Sequence, residues 1–434
     1  MKSLKIAMLF DDLTIRGGGQ RLLLSLAQEL NSVGHRVTIF TPVFDPSCCY
    51  PDLCKGLDIR AIATAKDIGN RTARHWLSRS KEKVRQYFFE PRSLSQLVKE
   101  RFDILNPHER PVHRTAVYLK RKCGTPIVWM FNDPGSWEIN YYENASMPVP
   151  VQLVKAAVLR RTERSLVRQI DAVAVLSHGV QAIFHREFGV YPYVVRCGLD
   201  RDFLLSPGAR EKARRELQIG PKSTLVLFLA VLSPSRRVED LVRAIKAVRS
   251  SGRDVKLAVV GSSRVAPEYL LRLQREAEAL GISRHVRFIS HSVSEEERRD
   301  LYYACDVFVW PNEAQSWGLA PLEAMLCGKP VIVSIGAGVH EVLRDGQHAL
   351  LVPPRRPDLL AKALGKLIDD PALRERLALD GAAFAQGRFT WREFASQMLA
   401  LFEQVLDRSP LLAAPESRNH EGKLDAAPSV AAIS

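Results

Sequence analysis

Residues Val307–Val333 read VFVWPNEAQSWGLAPLEAMLCGKPVIV and carry the clearest structural pattern in the chain. The stretch opens with an apolar run typical of a buried strand that ends at Trp310, and a polar loop follows to Trp317. Pro321 suits the first turn of a helix, where its missing N–H leaves no hydrogen bond unmade, and Gly328 indicates the end of that helix. Another apolar run comes next. The stretch therefore predicts a strand–helix–strand unit of a parallel sheet.

The predicted helix of this unit begins at the carboxyl end of a strand, which is the edge where open α/β sheets bind ligands. Its free backbone N–H groups, near Gly318–Leu322, would form an anion site there. We expect Glu323 in the first turn, where the helix dipole favours a carboxylate and where it could accept hydrogen bonds from a ribose diol. A nucleoside diphosphate fits this arrangement, although an ordinary capped helix would give the same pattern.

The alternation of short strands and helical patterns runs along most of the chain and restarts once. The first series begins with the strand Lys5–Phe10 and the second with Leu225–Leu232, and the polar stretch Ser206–Lys222 separates them. Strands that alternate with helices form parallel sheets covered on both faces. The sequence therefore predicts an α/β protein with two doubly wound, Rossmann-like domains.

The domain boundaries follow from the same pattern. Residues 1–205 form the first predicted domain and residues 206–390 the second. A helix is expected over residues 391–408, and we expect it to pack back toward the first domain. Residues 409–434 are rich in Ala, Ser and Pro without periodicity, which is typical of a flexible tail.

The composition excludes a fibrous or largely disordered protein, because 46% of the 434 residues are hydrophobic and 25% are charged. Lys and Arg number 62 against 48 Asp and Glu, which gives a net charge of +14. Residues 71–122 hold 14 of these cations and 5 acids, and the helical pattern Gln152–Ile170 adds five more cations. We expect an anionic membrane surface as a peripheral partner, although a solvated basic face would look the same. Nucleic acid is not expected, because no reader motif occurs.

The sequence also bears on compartment and metal content. No apolar run reaches the roughly 18 residues that a membrane span needs, and Met1–Phe10 does not read as a signal peptide. The seven cysteines are odd in number and form no Cys-x-x-Cys pair, which favours a reduced, cytoplasmic compartment. No zinc site is predicted at Cys48–Cys54, because the ligand spacing is wrong.

Four stretches resemble one known family. QSWGLAPLEAMLCGKPVI (315–332) resembles the donor-site signature of the GT-B glycosyltransferases of family 4, which carry a Glu-x7-Glu pair here. RGGGQRLLLSLAQELNSVGHRVTIFT (16–41) resembles the family's N-terminal Gly-Gly loop and helix, and SRRVEDLVRAI (235–245) its diphosphate-binding turn. VRFISHSVSEEERRDLYYACDVFVWPN (286–312) follows the pattern too, so the likeness covers residues 4–406. Residues 41–57 are similar to those of mannosyltransferases that act on lipid-linked oligosaccharides.

The resemblance implies a fold and an activity. The two domains would face each other across a cleft, as in the GT-B fold. A hexose would move from a GDP- or UDP-linked sugar to a lipid-linked or cell-envelope glycan acceptor, with retention of the anomeric configuration. The nucleotide sugar is a co-substrate, and neither a metal nor another cofactor is expected.

The resemblance also assigns residues on the donor side. Glu323 would bind the nucleotide ribose, and Gly318 and Leu319 would contact the donor. Gln315 stands where the family has its first Glu, beside the leaving group, and it is assigned there as a catalytic residue. An amide can form hydrogen bonds but cannot act as an anion. Glu313, two residues earlier, is the alternative source of a carboxylate, although its position does not match that of the first Glu in the signature.

The diphosphate would meet cations after the first strand of the second domain. Arg236 matches the family's diphosphate-binding Lys and is assigned a catalytic role, with Arg237 beside it as a donor-binding residue. A guanidinium can hold phosphate oxygens bidentately. The family's second cation corresponds to Val231, a departure for which Arg237 is expected to compensate.

Further assignments lie in loops. Gly17, Gly18 and Gly19 form a loop that can approach an acceptor or a diphosphate closely. His108 ends a first-domain strand and is assigned a catalytic place in the cleft. His113 and Asp133 are weaker alternatives, and Asn132 stands where the family often has a His.

The last assignments concern the loop after the donor-sugar strand. The amides of Gly336 and Gly338 are expected to contact the donor sugar, whereas Glu341 is expected to cap a helix.

Three functions other than sugar transfer are compatible with parts of the sequence to different degrees. A non-catalytic protein that binds a nucleotide sugar on the same fold is favoured by the departures at Gln315, Val231 and Asn132. A dinucleotide-dependent oxidoreductase lacks its glycine fingerprint, because Gln20, Arg21 and Leu22 follow the three glycines. A protein that only binds anions on its surface does not explain the complete donor-site stretch.

Overall fold

The computed structural model describes residues 3–64, 90–132, 149–200, 208–263, 266–291 and 293–407. They form two parallel α/β domains. The basic stretch 71–122 lies partly outside these ranges, as do Asp133 and the tail from residue 409, so the predictions for those parts stay predictions.

The first domain contains two parallel sheets that meet edge to edge. The first has the order β3-β2-β1-β4 and the second the order β5-β6-β7. Isolated parallel bridges join Leu105 to Ile127 and His108 to Met130, so β4 and β5 lie side by side where the two sheets meet. The strands are β1 (Lys5–Leu9), β2 (Arg36–Phe44), β3 (Asp58–Thr64), β4 (Ile104–Pro107), β5 (Val128–Met130), β6 (Ala172–Val175) and β7 (Tyr193–Val194).

Helices connect these strands, as parallel pairing requires. Ser177 caps one of them by accepting a hydrogen bond from Val180 N at 3.2 Å. Gly124 and Gly189 end two of them with φ values of 73° and 72°, which glycine adopts without strain. The helices are α1 (Gly18–Ser32), α2 (Pro51–Cys54), α3 (Glu90–Ser95), α4 (His113–Cys123), α5 (Val149–Val167) and α6 (His178–Phe188).

The second domain contains one six-stranded parallel sheet of order β10-β9-β8-β11-β12-β13. This is the doubly wound order, which reverses between the first and fourth strands of the domain. The strands are β8 (Thr224–Leu229), β9 (Val255–Val260), β10 (Val286–Ile289), β11 (Val307–Trp310), β12 (Val331–Ser334) and β13 (Leu350–Val352). The helices are α7 (Ala209–Glu216), α8 (Val238–Ser250), α9 (Pro267–Ala279), α10 (Glu295–Ala304), α11 (Leu319–Leu326), α12 (Pro357–Asp369) and α13 (Pro371–Gln386).

The predicted strand–helix–strand unit is confirmed as β11–α11–β12. β11 and β12 are parallel neighbours, and all their residues are buried. Pro321 lies in the first turn of α11, and Gly328 follows the helix with a φ of 66°. Glu323 differs from the prediction, because it is the fifth residue of α11 and lies beyond the first turn.

The last helix of the described chain, α14 (Trp391–Leu406), leaves the second domain and packs against α1 and β5 of the first. Phe394, Met398 and Phe402 are fully buried there. Trp391 Nε1 donates to Asp200 Oδ1 at 2.5 Å, and Leu199 N donates to Phe389 O at 2.8 Å. The chain thus crosses between the domains twice, at neighbouring places.

The packing at this crossing predicts a strong effect of one methyl group. A Cβ on Gly198 would overlap the backbone of Trp391, so Gly198→Ala should destabilise the protein by about 1–3 kcal/mol. Gly365→Ala is the control, because a Cβ in α12 would meet Arg253 only at 3.8 Å and alanine favours helices. Urea unfolding followed by circular dichroism measures both variants. Equal midpoints for Gly198→Ala and wild type would contradict the described crossing.

Candidate functional site

A cavity of about 250 Å³ lies between the two domains, at the carboxyl ends of both sets of parallel strands. Segments after β1, β4 and β5 form its first-domain wall, and segments after β8, β9 and β11 form the facing wall. In the second domain the cavity adjoins the point where the strand order reverses, which is where doubly wound sheets bind ligands.

Eight of the residues predicted for the site line this one cavity, although they are far apart in sequence. They are Gly17, Gly18, Gly19, Arg236, Gln315, Gly318, Leu319 and Glu323. The other four, His108, Arg237, Gly336 and Gly338, are not among the described residues that line it.

The amino end of α11 opens into the cavity. Gly318 precedes the helix with a φ of 123°, and a Cβ there would lie 3.0 Å from Trp310 Nε1. Glycine is therefore required both by the backbone conformation and by the close approach of the indole. Because Gly318 has no side chain to cap the helix, its first backbone N–H groups are available to an anion.

Glu323 lies behind this helix end and is 4% exposed. Its Oε1 accepts from Arg21 Nη1 at 3.1 Å, its Oε2 accepts from Tyr302 OH at 2.7 Å, and Arg298 also pairs with it. Burial by itself would raise the pKa of Glu323, but the guanidinium groups of Arg298 and Arg21 lower it below its usual value. The carboxylate is therefore charged at neutral pH and held in place from three sides.

Arg21 reaches this cluster from α1 of the first domain. It lies 2.7 Å from Asp200 Oδ2 and also pairs with Glu295 of α10. Its guanidinium stacks on the Tyr50 ring at 4.9 Å, and Tyr50 OH donates to Gly17 O at 3.2 Å. The glycine loop and the ion cluster are thereby joined.

The two neighbouring arginines after β8 have different surroundings. Arg236 ends a 3₁₀ turn and lines the cavity. With its oxygen turned toward this arginine, the Asn312 amide accepts from Arg236 Nη1 at 3.0 Å and from Trp310 Nε1 at 3.3 Å. Asn312 thus helps to orient Arg236 at the cavity.

Arg237 is instead bound to acidic side chains of α8. Its Nε and Nη2 lie 2.9 and 3.0 Å from the two carboxylate oxygens of Asp240, and Nη1 lies 2.9 Å from Glu239 Oε1. These pairs hold the guanidinium outside the cavity lining. The structure therefore does not bring Arg237 to the cavity lining, and its role beside a diphosphate stays a prediction.

Gln315 lines the cavity as predicted, and its side-chain amide contacts that of Asn312. Glu313 does not replace it, because its carboxylate pairs with Arg355 Nε at 2.5 Å. An amide therefore lines the cavity at the position where the signature that this stretch resembles has its first Glu.

His108 does not take the expected catalytic place in the cleft. It is fully buried at the end of β4, and its Nε2 lies 2.8 Å from Asn106 Oδ1. Burial lowers the pKa of His108 to about 3, so its ring is neutral at pH 7. His113 is also fully buried, 2.9 Å from Glu163 Oε2. Asn132, by contrast, lines the cavity.

Gly336 and Gly338 pack loops together and are not among the described residues that line the cavity. Their amides donate to Ser334 Oγ at 3.1 Å and to Gln315 O at 2.9 Å, and their contact with a donor sugar stays a prediction. A Cβ on either glycine would overlap the backbone of residues 313–316. Glu341 caps a helix as expected, but the helix is α6 of the other domain, where it accepts from Gly179 N at 2.7 Å.

Sequence reasoning missed the cations and the phenol around Glu323. One signal was available, because Arg21 is in the first turn of α1, where the helix dipole disfavours a positive charge. Such a placement indicates acidic partners elsewhere. Arg298 and Tyr302 give no comparable signal, since their burial depends on tertiary packing.

Two negative findings apply to the part of the chain that the structure describes. Within it, no group of three or more His, Cys, Asp or Glu side chains is arranged to hold a metal ion. Likewise, no helix in that part is both long and apolar enough to cross a membrane.

The two facing Rossmann-like domains and the cleft between their strand ends define the GT-B class of proteins. Two family models agree: "Glycosyltransferase Family 4" matches residues 16–203, and "Glycosyl transferases group 1" matches residues 209–382. The chain belongs to the family-4 glycosyltransferases of the GT-B fold.

Individual relatives cover most of the chain. A D-inositol 3-phosphate glycosyltransferase of Corynebacterium glutamicum is 26% identical over 402 residues, which is 90% of this chain and 92% of the relative. One of Actinosynnema mirum is 33% identical over 316 residues, or 70% of this chain and 73% of the relative.

Solved structures show the same fold at low identity. HepE of Anabaena, in complex with UDP and glucose, has a TM-score of 0.74 at 18% identity and covers 92% of this chain and all of HepE. WaaG, a glycosyltransferase involved in lipopolysaccharide biosynthesis, has a TM-score of 0.67 at 17% identity, over 92% of this chain and 99% of WaaG.

The Glu323 cluster predicts a pH-dependent loss of stability. Glu323→Gln leaves two buried arginines short of their shared carboxylate, so it should lower the free energy of unfolding by about 3–5 kcal/mol at pH 7. Because the folded-state pKa of Glu323 is lowered, the ionised carboxylate stabilises fully above the ordinary value of 4.5 and loses this effect as the pH falls through the lowered value. The difference in free energy of unfolding between the variant and wild type, called the gap below, should therefore become smaller in acid.

Denaturant unfolding of both proteins at pH 7 and at successively lower pH measures this gap. Glu296→Gln is the control, because Glu296 is an exposed carboxylate on the neighbouring helix α10. A gap that stays constant into acid would contradict the ionised state of Glu323.

Proposed function

We propose that this protein is a retaining hexosyltransferase that uses a nucleoside-diphosphate sugar without a metal ion. The observation that carries the proposal is the meeting of three features at one interdomain cavity. These are the uncapped amino end of α11, the Arg236 guanidinium and the buried Glu323 carboxylate. The amino end of α11 would bind phosphate oxygens, Arg236 would stabilise the leaving group, and Glu323 would bind the ribose diol.

The donor would bind the second domain. Its diphosphate would accept hydrogen bonds from the N–H groups at Gly318 and Leu319, where the helix dipole also favours negative charge. Arg236 would contribute a cation from the end of β8, the strand next to β11 in the same sheet. Glu323 accepts three protein donors, and a carboxylate offers about four acceptor positions, so ribose can bind only at its remaining edge.

The chemistry would depend on stabilising the departing diphosphate. Charge develops on the leaving oxygen as the bond to the anomeric carbon breaks, and donors already aimed at it lower the barrier most. The acceptor hydroxyl would attack on the same face, and the leaving phosphate would take its proton. This route needs no carboxylate nucleophile, so the amide of Gln315 is compatible with transfer. Domain closure would exclude water from the reaction.

The acceptor would bind the first domain, along the wall that contains Gly17–Gly19 and Asn132. The relatives are named for transfer to D-inositol 3-phosphate, and WaaG for a part in lipopolysaccharide biosynthesis. We propose a lipid-linked or cell-envelope glycan as the acceptor of this protein. The basic first domain favours such an acceptor, because its surface can lie on anionic lipid.

A second candidate function is nucleotide-sugar binding without transfer. The observation that favours it is the amide of Gln315 at the cavity, because the family signature that this stretch resembles has a carboxylate at this position. Tight binding of a nucleotide sugar, with neither transfer nor hydrolysis over long incubation, would support this candidate.

A thermal-shift panel with UDP, GDP, ADP and their sugars is the first test. UDP comes first because HepE binds it. A ligand at about 100 times its Kd should stabilise the protein by roughly 2.7 kcal/mol. A shift with one base identifies the donor for a transfer assay, and no shift with any of them would overturn the proposed donor site.

With the donor identified, Arg236→Ala should lower turnover more than about tenfold, which corresponds to roughly 1.4 kcal/mol of transition-state stabilisation. Transfer of radiolabelled hexose measures it. Arg243→Ala is the matched control, because Arg243 is an exposed arginine on α8 that pairs with Glu276. Unchanged turnover in a folded Arg236→Ala variant would remove Arg236 from the mechanism.

The membrane part of the proposal rests on α5. Val158 is 59% exposed on this helix, and four arginines of α5 and its end are exposed around it: Arg160, Arg161, Arg164 and Arg168. Each arginine near an anionic surface contributes about 1 kcal/mol, so replacing all four by Gln should weaken vesicle binding at least about tenfold.

Co-sedimentation with phosphatidylglycerol vesicles measures this binding, and phosphatidylcholine vesicles should bind little. The matched control replaces four exposed arginines of the second domain, Arg275, Arg284, Arg287 and Arg344. Equal losses for both quadruple variants would contradict a specific role for α5.

A further inference from the structure

We propose that Arg21 is the positioning residue for Glu323, so that the nucleotide site of the second domain is completed by a cation from the first. This inference rests on the proposed function, because it takes Glu323 as the ribose-binding residue. It adds a role for the first domain in donor binding that the donor-side residues alone do not give.

The geometry around Arg21 is the first support. Arg21 is 3% exposed and lines the cavity, and its Nη1 lies 3.1 Å from Glu323 Oε1 and 2.7 Å from Asp200 Oδ2. It is 302 residues from Glu323 in the chain, so only the approach of α1 to α11 brings them together. If the domains moved apart, Arg21 would keep Asp200 of its own domain, but the buried Glu323 carboxylate would lose this cation.

The charge balance is the second support. On the second domain, the carboxylates of Glu295 and Glu323 share one cation, Arg298, which leaves one negative charge in excess. Arg21 pairs with both of these carboxylates and also with Asp200, so the cluster of two arginines and three carboxylates has a net charge of −1. Without Arg21 the same cluster would carry a net charge of −2, and this larger negative charge would oppose the binding of a nucleoside diphosphate more strongly.

The attachment of Arg21 is the third support. Its guanidinium is stacked on Tyr50, whose hydroxyl donates to Gly17 O in the glycine loop. The loop that faces the acceptor and the cation that holds Glu323 are therefore parts of one first-domain assembly. Closure of the cleft would bring the glycine loop and the Arg21 guanidinium to the second domain together.

The inference predicts a selective change in donor binding. Arg21→Ala should raise the KM for the donor and the Kd for its nucleoside diphosphate at least about tenfold, because an interaction made equally in ground and transition states is lost. The kcat at saturating donor should change less than about threefold, and Arg21→Lys should recover part of the affinity. Arg36→Ala is the matched control, because Arg36 is an exposed first-domain arginine at the start of β2.

A double-mutant cycle with Glu323→Gln separates the loss of the Arg21–Glu323 interaction from a general loss of folded structure. Isothermal titration with UDP, or whichever diphosphate the panel selects, gives Kd for wild type, both single variants and the double variant. Coupling predicts that Arg21→Ala costs less than about threefold in the Glu323→Gln background. If Arg21→Ala does not fold, Arg21→Gln replaces it in the same cycle.

The outcomes separate the inference from the proposed function. Wild type that binds no nucleoside diphosphate would overturn the proposed function and the inference with it. Wild-type binding with equal Kd in Arg21→Ala, or equal costs in both backgrounds of the cycle, would overturn the inference alone. A loss of kcat with unchanged KM would also overturn it, because Arg21 would then act on the reaction and not on donor binding.

Discussion

The structure depends on one electrostatic constraint: a helix begins at the carboxyl end of a buried strand and leaves its first N–H groups uncapped. At the amino end of α11, glycine at position 318 is required by its φ of 123° and by the indole of Trp310. Such an end can be stable only beside water or an anion, so the fold cannot cover it with apolar side chains. The cleft between the domains leaves it open, and the proposed binding of a diphosphate there depends on that opening.

The fold was predictable because its determinants are local. The β11–α11–β12 unit shows why: its apolar runs, Pro321 and Gly328 each act within a few residues, and the structure reproduces the predicted order. The glycines at 17–19 and Arg236 could be placed at the cavity for the same reason, since each follows a predicted strand. In a parallel sheet, the ends of neighbouring strands meet at one edge, so sequence order is enough to gather them.

The rest of the site could not be predicted, because it depends on which side chains meet in three dimensions. Arg236 and Arg237 are adjacent in sequence, yet one lines the cavity and the other is held by Asp240 and Glu239. His108 follows a strand at the correct edge but is fully buried and is not among the described residues that line the cavity. The spacing of residues along a strand or turn does not reveal which partner a side chain will bind. An arginine with acidic neighbours forms ion pairs with them and does not need a ligand to satisfy its charge.

The return of α14 to the first domain has a mechanical consequence. The polypeptide joins the domains twice, and the two connections touch where Leu199 N donates to Phe389 O and Trp391 packs on Gly198. Because the two connections pack on each other, a rotation of one domain relative to the other has to bend the chain at both places together. It also has to break contacts away from the connections, such as the pair of Arg21 with Glu323 and the hydrogen bond from Gly179 N to Glu341. Widening the cleft is therefore coupled to the loss of these specific polar contacts.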